Sequence, residues 1–228
     1  MKIGGLHKFS LINYPEKTSA VIFTIGCNFR CSYCHNLKLV FPNKYSEEIS
    51  IEEILNFLKS RQNKLDAVVI SGGEPTEHSD LLNFISDIKE LGFLIKLDTN
   101  GSNPNVLQEI IKNNLINYIA MDIKAPIKKH QKVTRSLIDF KKIKESINII
   151  MRSEIEYEFR TTVVKELINS EDLIYLAKMI YGAEKYFLQT FNFSKSDLGS
   201  LNFSSYSKEE MEKMAKNLRK YVKECKVR

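Results

Sequence analysis

Short apolar runs, typical of buried β-strands, alternate with amphipathic helical segments along most of this 228-residue chain. The alternation occurs six times, and the predicted strands are Ser19–Thr24, Ala67–Ser71, Leu94–Asp98, Tyr118–Ile123, Glu156–Val163 and Tyr186–Phe191. Strands that alternate with helices form a parallel sheet covered by those helices. The sequence therefore predicts an α/β fold whose sheet curves into a partial (β/α)6 barrel, more open than the closed eight-stranded form.

The chain shows no internal repeat, low-complexity run or long flexible linker, and 43% of its residues are hydrophobic. A chain of this length can bury one substantial core. We therefore expect a single domain over residues 1–228. It comprises an N-terminal extension (1–17), six strand–helix units (18–206) and a C-terminal helix (207–228).

Three cysteines, Cys27, Cys31 and Cys34, lie within eight residues directly after the first predicted strand. Three thiolates on one loop can bind three irons of a four-iron cluster and leave the fourth iron open to a ligand. A zinc site needs a fourth ligand, whereas Cys225 is nearly two hundred residues away and His35 is adjacent to Cys34. A disulfide framework would leave one thiol of the three unpaired. The spacing therefore favours an iron–sulfur cluster over zinc, and Cys225 is predicted to be a buried structural thiol.

Polar or otherwise unusual residues collect at the carboxyl end of each predicted strand. In parallel sheets this edge is where ligands bind, so a common site is predicted there. Alone, each motif has a plainer interpretation, such as a tight turn or a surface ion pair. After the cysteine loop, the strand ends carry Gly72-Gly73-Glu74-Pro75, Asp98-Thr99-Asn100-Gly101, Asp122 with Lys124, Arg160, and Gln189 with Asn192.

Asp122 in particular follows the apolar residues 118–121, so its carboxylate emerges from a buried strand. A lone charge at such a position is unfavourable unless a ligand or a cation meets it. The absence of side chains at Gly72 and Gly73 would let the backbone approach a ligand closely. Both features favour a binding site over a solvated turn.

The C-x3-C-x2-C spacing, with Tyr33 before the last cysteine, resembles the signature of the radical SAM enzymes. The resemblance implies a [4Fe–4S] cluster on the three cysteines, whose open iron binds the amino and carboxylate groups of S-adenosylmethionine (SAM). One electron from the cluster then cleaves SAM to methionine and a 5′-deoxyadenosyl radical. These cofactors carry the chemistry, so no side chain is predicted to be catalytic in itself. The resemblance also places Tyr33 and His35, which flank Cys34, against the cluster.

The other strand-end motifs resemble the SAM contacts of this family. Gly72-Gly73-Glu74 looks like the motif whose backbone and carboxylate receive the methionine amino group. The segment 120–124 resembles the D-x-K segment of glycyl-radical-enzyme activases, and Arg160 matches their arginine on the fifth strand. The cofactor-binding residues implied by the resemblance are Tyr33, His35, Gly72, Gly73, Glu74, Asp98, Asn100, Asp122, Lys124 and Arg160.

Two positions depart from the activase pattern. Lys165 stands where a proline is often found after the fifth strand. Near the end of the sixth strand, formate-lyase activases carry a histidine, whereas this chain has Gln189, Phe191 and Asn192. The adenosine contact on this side is therefore not assigned from the resemblance.

Over nearly its whole length, the chain looks like the activating proteins of anaerobic ribonucleoside-triphosphate reductases. The most specific stretches are Tyr14-Pro15, residues 23–36 and residues 96–104. The resemblance implies that the deoxyadenosyl radical abstracts a hydrogen from one glycine of a partner enzyme, which then stores a glycyl radical. An electron donor such as flavodoxin or ferredoxin is implied as a second partner.

Two alternatives remain open at this point. One is a radical SAM enzyme that acts on a small molecule, for example a deazapurine-forming synthase. The other is an iron–sulfur electron carrier or a zinc-dependent binding module, neither of which needs the glycine pair at the second predicted strand. SAM binding separates the second alternative from the radical SAM enzymes.

The net charge of +6 and the pI near 9.0 are mild, and the basic residues are predicted to be scattered among acids on solvated helix faces. Nucleic-acid binding would require a basic stripe with aromatic platforms, so no nucleic-acid partner is expected. No apolar stretch approaches the ~18 residues of a membrane span, and no targeting pattern is visible at the start. A cytoplasmic protein without a membrane partner is therefore predicted.

Overall fold

The computed structural model describes residues 1–45, 47–192 and 203–228. Within them one sheet contains β1 (Ile3–Tyr14), β2 (Lys17–Thr24), β3 (Ala67–Gly72), β4 (Leu94–Thr99), β5 (Tyr118–Asp122), β6 (Glu156–Val163), β7 (Lys185–Thr190) and β8 (Glu224–Val227). The α-helices are α1 (Leu37–Val40), α2 (Ile51–Lys59), α3 (Leu81–Glu90), α4 (Pro104–Lys112), α5 (Ile127–Thr134), α6 (Phe140–Arg152), α7 (Ser170–Met179) and α8 (Lys208–Leu218). Short 3₁₀ turns occupy Pro42–Lys44 and Pro75–Glu77.

The six predicted strands are present as β2 to β7, and each end lies within two residues of its predicted position. The strands follow one another across the sheet in chain order, and β2 to β8 are parallel. In the part of the chain that the structure describes, β1 and β8 are the two edges, so the sheet is open. The predicted α/β fold with a partial barrel is therefore confirmed, while residues 193–202 of the last predicted unit lie outside the described residues.

Both ends of the chain differ from the prediction. The segment predicted to be an extension contains β1, which pairs antiparallel with β2 through an irregular register. Its Gly4-Gly5 pair and its polar residues break the apolar alternation that marks a strand. The C-terminal segment is helical only over α8 and then returns to the sheet as β8, which pairs with β7. The strand β8 is only four residues long and contains charged residues, so its formation depends on pairing with β7 rather than on its own sequence.

The two faces of the sheet are covered differently, because successive side chains of a strand point to opposite faces. Outward residues such as Ile22, Ile70 and Leu97 join the helices in one large apolar core. On the inner face, a smaller cluster that includes Val21, Val69 and Tyr118 fills the end near the strand starts. Towards the carboxyl ends the inner face becomes polar, which leaves room for a cavity at that edge.

The helices are short and begin at residues suited to that role. Ser207 and Glu210 form a reciprocal capping box at the start of α8. Ser50 Oγ accepts a 3.1 Å hydrogen bond from the Glu53 amide at the start of α2, and Pro104 is the first residue of α4. None of the helices in the described ranges has the length and apolar character needed to cross a bilayer.

Candidate active site

One cavity of about 510 Å³ lies at the carboxyl ends of the inner strands, within the size range of small-ligand sites. The structure brings every predicted site residue to the lining of this cavity. They are Cys27, Tyr33, Cys31, Cys34, His35, Gly72, Gly73, Glu74, Asp98, Asn100, Asp122, Lys124 and Arg160. Gln189 also lines it, from the sixth predicted strand.

The cysteine loop connects β2 to α1, and backbone hydrogen bonds attach it to the last turn of α5. The amides of Arg30 and Ser32, on either side of Cys31, donate to the carbonyls of Thr134 at 2.8 Å and Val133 at 3.1 Å. Because these bonds satisfy the backbone on both sides of Cys31, the position of its sulfur is fixed by a helix distant in sequence.

Aromatic packing gives the loop a second attachment. Phe29, between the first two cysteines, is only 1% exposed. Its ring lies edge-on to His130 with centroids 5.5 Å apart, and His130 packs in the same way on Phe140 at 5.2 Å. The loop is thus anchored to both α5 and α6 by one buried imidazole.

Two of the three sulfur atoms accept hydrogen bonds from backbone amides. The Phe29 amide donates to Cys27 Sγ at 3.3 Å, and the Asn36 amide donates to Cys34 Sγ at 3.4 Å. Burial raises the pKa of Cys27 to about 12 and that of Cys31 to about 11. Without a metal these thiols stay protonated at neutral pH, so bound iron would have to supply the charge that stabilises the thiolates.

The donor set fits a cluster. Among residues 1–45, 47–192 and 203–228, no three His, Cys, Asp or Glu side chains converge as ligands of a single metal ion would. A four-iron cluster makes a different demand, because each cysteine binds its own iron. Three soft sulfur donors on one anchored loop, spaced apart around a cavity, meet that demand.

Tyr33 and His35, predicted to lie beside the third cysteine, both line the cavity. The Tyr33 hydroxyl is buried and has no hydrogen-bond partner among the described residues. An orphaned buried hydroxyl is unfavourable, so it fits a site whose ligand completes the bonding. The His35 ring stacks on Phe191, just beyond β7, at 5.6 Å between centroids and 13° between planes. The His35 ring, supported by the buried Phe191, therefore lines the cavity on the side where the resemblance gave no contact.

The glycine pair has a packing role that the sequence did not reveal. A Cβ atom on Gly73 would lie 1.8 Å from the Gly26 carbonyl oxygen, and one on Gly72 would lie 2.3 Å from the Thr24 amide nitrogen. The space left by the missing side chains is therefore occupied by the backbone of β2 and of the cysteine loop. Gly72 also has a φ of +117°, a conformation that favours glycine. The pair brings two loops together, so a side chain at Gly73 would disturb the fold before it affected a ligand.

Glu74 connects two of the strand-end loops. Its buried carboxylate accepts hydrogen bonds from the Thr76 hydroxyl at 2.6 Å and the Thr99 hydroxyl at 2.7 Å on one oxygen, and from the Asn100 amide at 2.6 Å on the other. Burial raises the pKa of Glu74 despite these donors. Oε2 has one donor and can therefore accept a further hydrogen bond.

A network of alternating charges crosses the inner face from β4 to β6. Lys96 Nζ lies 2.6 Å from Asp98, whose other oxygen is 3.4 Å from Arg160. Arg160 Nε donates to Asp122 at 2.7 Å, and Lys124 Nζ donates to the second Asp122 oxygen at 2.8 Å. Asp122 and Lys124 are therefore part of a largely buried network. The plainer interpretation of these two residues as a surface ion pair is wrong.

These contacts fix the charges of the network. Burial favours the neutral form of Asp122, but the charges of Arg160 and Lys124 outweigh it and hold the pKa below its ordinary value. Burial acts to lower the pKa of Lys124, and the Asp122 carboxylate outweighs that effect and raises it. The cavity thus carries fixed cations beside the cysteine loop, where an anionic ligand group can bind.

Sequence reasoning missed the deeper part of the network. Lys96 is 2% exposed, and Glu158 accepts bonds from Tyr118 at 3.0 Å and Arg228 at 2.9 Å. The signal was available, because Lys96 and Glu158 each precede a predicted site residue by two positions in a strand and so share its face. His130, which anchors the cysteine loop, carried no such signal.

Comparisons with known proteins place this site in a family. The chain matches the family model described as the Radical SAM superfamily over residues 21–180. A Methanocaldococcus jannaschii protein named "Putative glycyl-radical enzyme activating enzyme MJ1227" is 39% identical over 197 residues, which cover 83% of this chain and 79% of that protein. The pyruvate formate-lyase-activating enzyme of Clostridium pasteurianum is 28% identical over 241 residues, covering 98% of this chain and 97% of that enzyme.

Solved structures agree on the fold. Streptococcus suis SuiB bound to S-adenosylmethionine matches with a TM-score of 0.67 and 15% identity, covering 91% of this chain and 49% of that one. TYW1 with a lysine-pyruvate adduct bound matches with a TM-score of 0.63 and 15% identity, covering 90% of this chain and 74% of that one. The cofactors of the family are a [4Fe–4S] cluster and SAM, in agreement with the donor set and the cavity. The chain belongs to the radical SAM superfamily, and it is a radical SAM enzyme related to the glycyl-radical-enzyme activating enzymes.

Proposed function

We propose that this protein activates a glycyl radical enzyme, most specifically an anaerobic ribonucleoside-triphosphate reductase, by generating a radical on one glycine of that partner. The observation that carries the proposal is the meeting, in one cavity, of the cysteine loop with Asp122, Lys124 and Arg160. These are the positions at which the chain resembles the activases. The names of the relatives support the class of partner, and the resemblance of residues 96–104 to the reductase activators supports the specific one.

In this proposal the three cysteines hold the cluster and the surrounding residues bind and orient SAM. When bound and reduced, the cluster would supply one electron for the cleavage of SAM, and SAM would supply the group that takes a hydrogen atom from the partner's glycine. The methionine amino group is a donor, so it needs acceptors on the protein. The amides of Gly73 and Glu74 already donate to the Thr24 and Gly26 carbonyls, at 2.9 and 2.7 Å. The proposed acceptors are Glu74 Oε2, which accepts from the Asn100 amide, and the Gly72 carbonyl, which accepts a 3.4 Å hydrogen bond from the Asn36 side-chain amide.

The remaining parts of SAM are assigned by charge and shape. The methionine carboxylate needs cations, and Lys124 and Arg160 are the fixed cations beside the cysteine loop. The adenine is flat and apolar, with polar edges, and the ring of His35, which stacks on the buried Phe191, offers a flat surface for it. Tyr33, which also lines the cavity, adds a hydroxyl without a hydrogen-bond partner among the described residues. The proposed role of Asp122 is to hold both cations in place. Asp98 would support Arg160, and Asn100 would orient the first cysteine, since its amide lies 4.0 Å from Cys27 Sγ.

The open sheet supports a macromolecular substrate. In the described strands, β1 and β8 do not close the barrel, so a loop of a partner protein has a lateral route to the cavity. This route is the reason to prefer a protein substrate over the small molecule of the alternative.

An anaerobic assay tests the proposal. The reconstituted protein is incubated with SAM, a reductant and either an anaerobic ribonucleoside-triphosphate reductase or a pyruvate formate-lyase, and the glycyl radical is measured by electron paramagnetic resonance. We expect the radical on the reductase, with one deoxyadenosine released per radical, and none on a reductase whose radical glycine is replaced by alanine. A radical only on the lyase would replace the specific partner. Deoxyadenosine release without any protein radical would favour the small-molecule alternative, and no SAM cleavage at all would favour an electron carrier.

A further inference from the structure

The positive charge of the protein is concentrated in residues 127–145, which span α5, the connection to α6 and the first turns of α6. This segment contains seven Lys or Arg residues and two acidic ones, a net charge of +5 against +6 for the whole chain. The rest of the protein is therefore close to neutral. The even scatter of charge predicted from the sequence is wrong for this segment.

Most of these cations are exposed and available to a partner. Lys129 pairs with Asp172 at 2.5 Å, and Asp139 caps α6 by accepting from the Lys141 amide. The others make no ion pair with an acid among the described residues. We call them the α5–α6 basic surface, which consists of Lys128, Lys132, Arg135, Lys141, Lys142 and Lys144. Leu137, in the connection between the two helices, is 87% exposed and adds an apolar contact to this surface.

The α5–α6 basic surface lies directly behind the cysteine loop. His130 on the buried side of α5 contacts Phe29 of the loop and Phe140 of α6, so the two helices and the loop meet at one ring. The last carbonyls of α5 hold the amides on both sides of Cys31, and Ser136 Oγ donates to the Asn28 carbonyl at 2.8 Å. The helix that presents the cations to solvent is therefore the same helix that positions the cluster ligands.

A cluster that cleaves SAM has to receive an electron from outside the protein, and electron transfer slows steeply with distance. We propose that the α5–α6 basic surface is the docking site of the protein that reduces the cluster, a small one-electron carrier with an acidic surface. In the docked complex one electron passes from the reduced carrier to the cluster, and no bond forms or breaks. The inference rests on the proposed function only in requiring a reducible cluster. Complementary charge would steer the encounter, and Leu137 would lie in its apolar centre.

A charge-reversal variant tests the docking site. The triple variant Lys128→Glu, Lys132→Glu and Lys142→Glu changes three exposed cations of the surface that touch neither the cavity nor the cysteine loop. The matched control, Lys59→Glu, Lys112→Glu and Lys213→Glu, makes the same change in net charge at exposed positions on α2, α4 and α8. The probe is a reduced acidic flavodoxin, and the readout is the rate of cluster reduction in an anaerobic stopped-flow experiment.

We expect the triple variant to be reduced at least about tenfold more slowly than the parent at low ionic strength, because electrostatic steering raises association rates by roughly 10-fold to 1000-fold. The parental rate should fall as salt is added, whereas the rate of the variant should change little. The control should stay within about twofold of the parent. With dithionite, a small chemical reductant, all three proteins should show equal cluster reduction and SAM cleavage, which also shows that the variants are folded.

Three results would overturn the docking site. They are parental reduction of the triple variant by flavodoxin, equal slowing of the control, and slow glycyl-radical formation by the triple variant even with dithionite. The last would assign the surface to the radical-accepting partner. Failure of the proposed function has a different signature, since no variant would then form a glycyl radical although flavodoxin still reduces the cluster of the parent.

Discussion

The cysteine loop and the charge network line the same cavity, but they are built in different ways. The loop carries its three sulfur ligands within eight residues. The network joins Lys96, Asp98, Asp122 and Arg160 from three strands, and it forms because the sheet register places Asp122 beside Arg160. A local motif can be read from residue spacing, whereas the network exists only after the strands have paired. The difference predicts that substitutions in the two regions have separable effects. Substitutions in the cysteine loop should abolish the cluster, whereas substitutions in the network should slow SAM cleavage.

The largest effect is expected from the cysteine loop. Replacing Cys27, Cys31 or Cys34 by alanine removes one of the three proposed cluster ligands, so each variant should lose the iron–sulfur absorption and all SAM cleavage. Cys225→Ala is the matched control, because Cys225 is buried beside β7 rather than at the cavity. It should retain close to four irons per chain. Equal loss of iron from the control would contradict the three-ligand site.

A smaller effect is expected from the network. Asp122→Asn and Lys124→Ala should leave the cluster spectrum intact and slow reductive SAM cleavage by on the order of tenfold to a hundredfold. Lys124→Ala removes one charged contact to a partly desolvated ligand, and Asp122→Asn weakens the hold on both cations, each costing about 1.4 to 2.7 kcal/mol. Lys223→Ala, which breaks the exposed pair with Glu184, serves as the control and should cleave SAM at the parental rate. Parental rates in both network variants would remove these residues from the SAM site.

The glycine pair packs the end of β3 against β2 and the cysteine loop, so its replacement should affect stability before binding. In Gly73→Ala the new Cβ meets the Gly26 carbonyl, and we expect the free energy of unfolding to fall by about 1 to 3 kcal/mol, as in overpacked sites. Urea denaturation under anaerobic conditions measures this change. Gly5→Ala is the control, since its Cβ would lie 3.4 Å from the Phe23 side chain, an ordinary contact. Weaker SAM binding with unchanged stability would restore the simpler ligand-contact role.

The pH dependence of stability should reveal the contribution of His130, which anchors the cysteine loop to α5 and α6. Burial lowers the pKa of His130 to about 4, below the ordinary value of about 6.5 in the unfolded chain. Between these values the unfolded state binds the additional proton, so stability should rise with pH across this window and fall as the pH is lowered. From pH 7 to pH 5 the loss due to His130 is on the order of 2 kcal/mol.

His130→Phe keeps an aromatic ring between Phe29 and Phe140 but cannot titrate. Its free energy of unfolding, measured with urea at both pH values, should therefore lose less on acidification than that of the parent. An identical pH dependence in the two proteins would show that His130 is not the group responsible.

Much of the architecture could be predicted because it depends on local patterns. The strands β2 to β7 have apolar runs with clear ends, and parallel strands bring those ends to one edge whatever their detailed packing. The position of each site residue at that edge follows directly. The strands β1 and β8 were missed because their stability comes from pairing with β2 and β7 rather than from their own composition.

The sequence by itself determined the candidate cluster ligands, the six parallel strands and the edge at which the cavity lies, because spacing and periodicity are properties of neighbouring residues. Only the tertiary structure decided which charges meet, since the partners of Asp122 depend on the register between β5 and β6. It also decided that Gly73 contacts Gly26 rather than open space, and that the basic residues of α5 and α6 lie behind the cysteine loop. Contacts between segments far apart in the chain depend on how the helices and strands pack, and residue spacing carries no record of that packing.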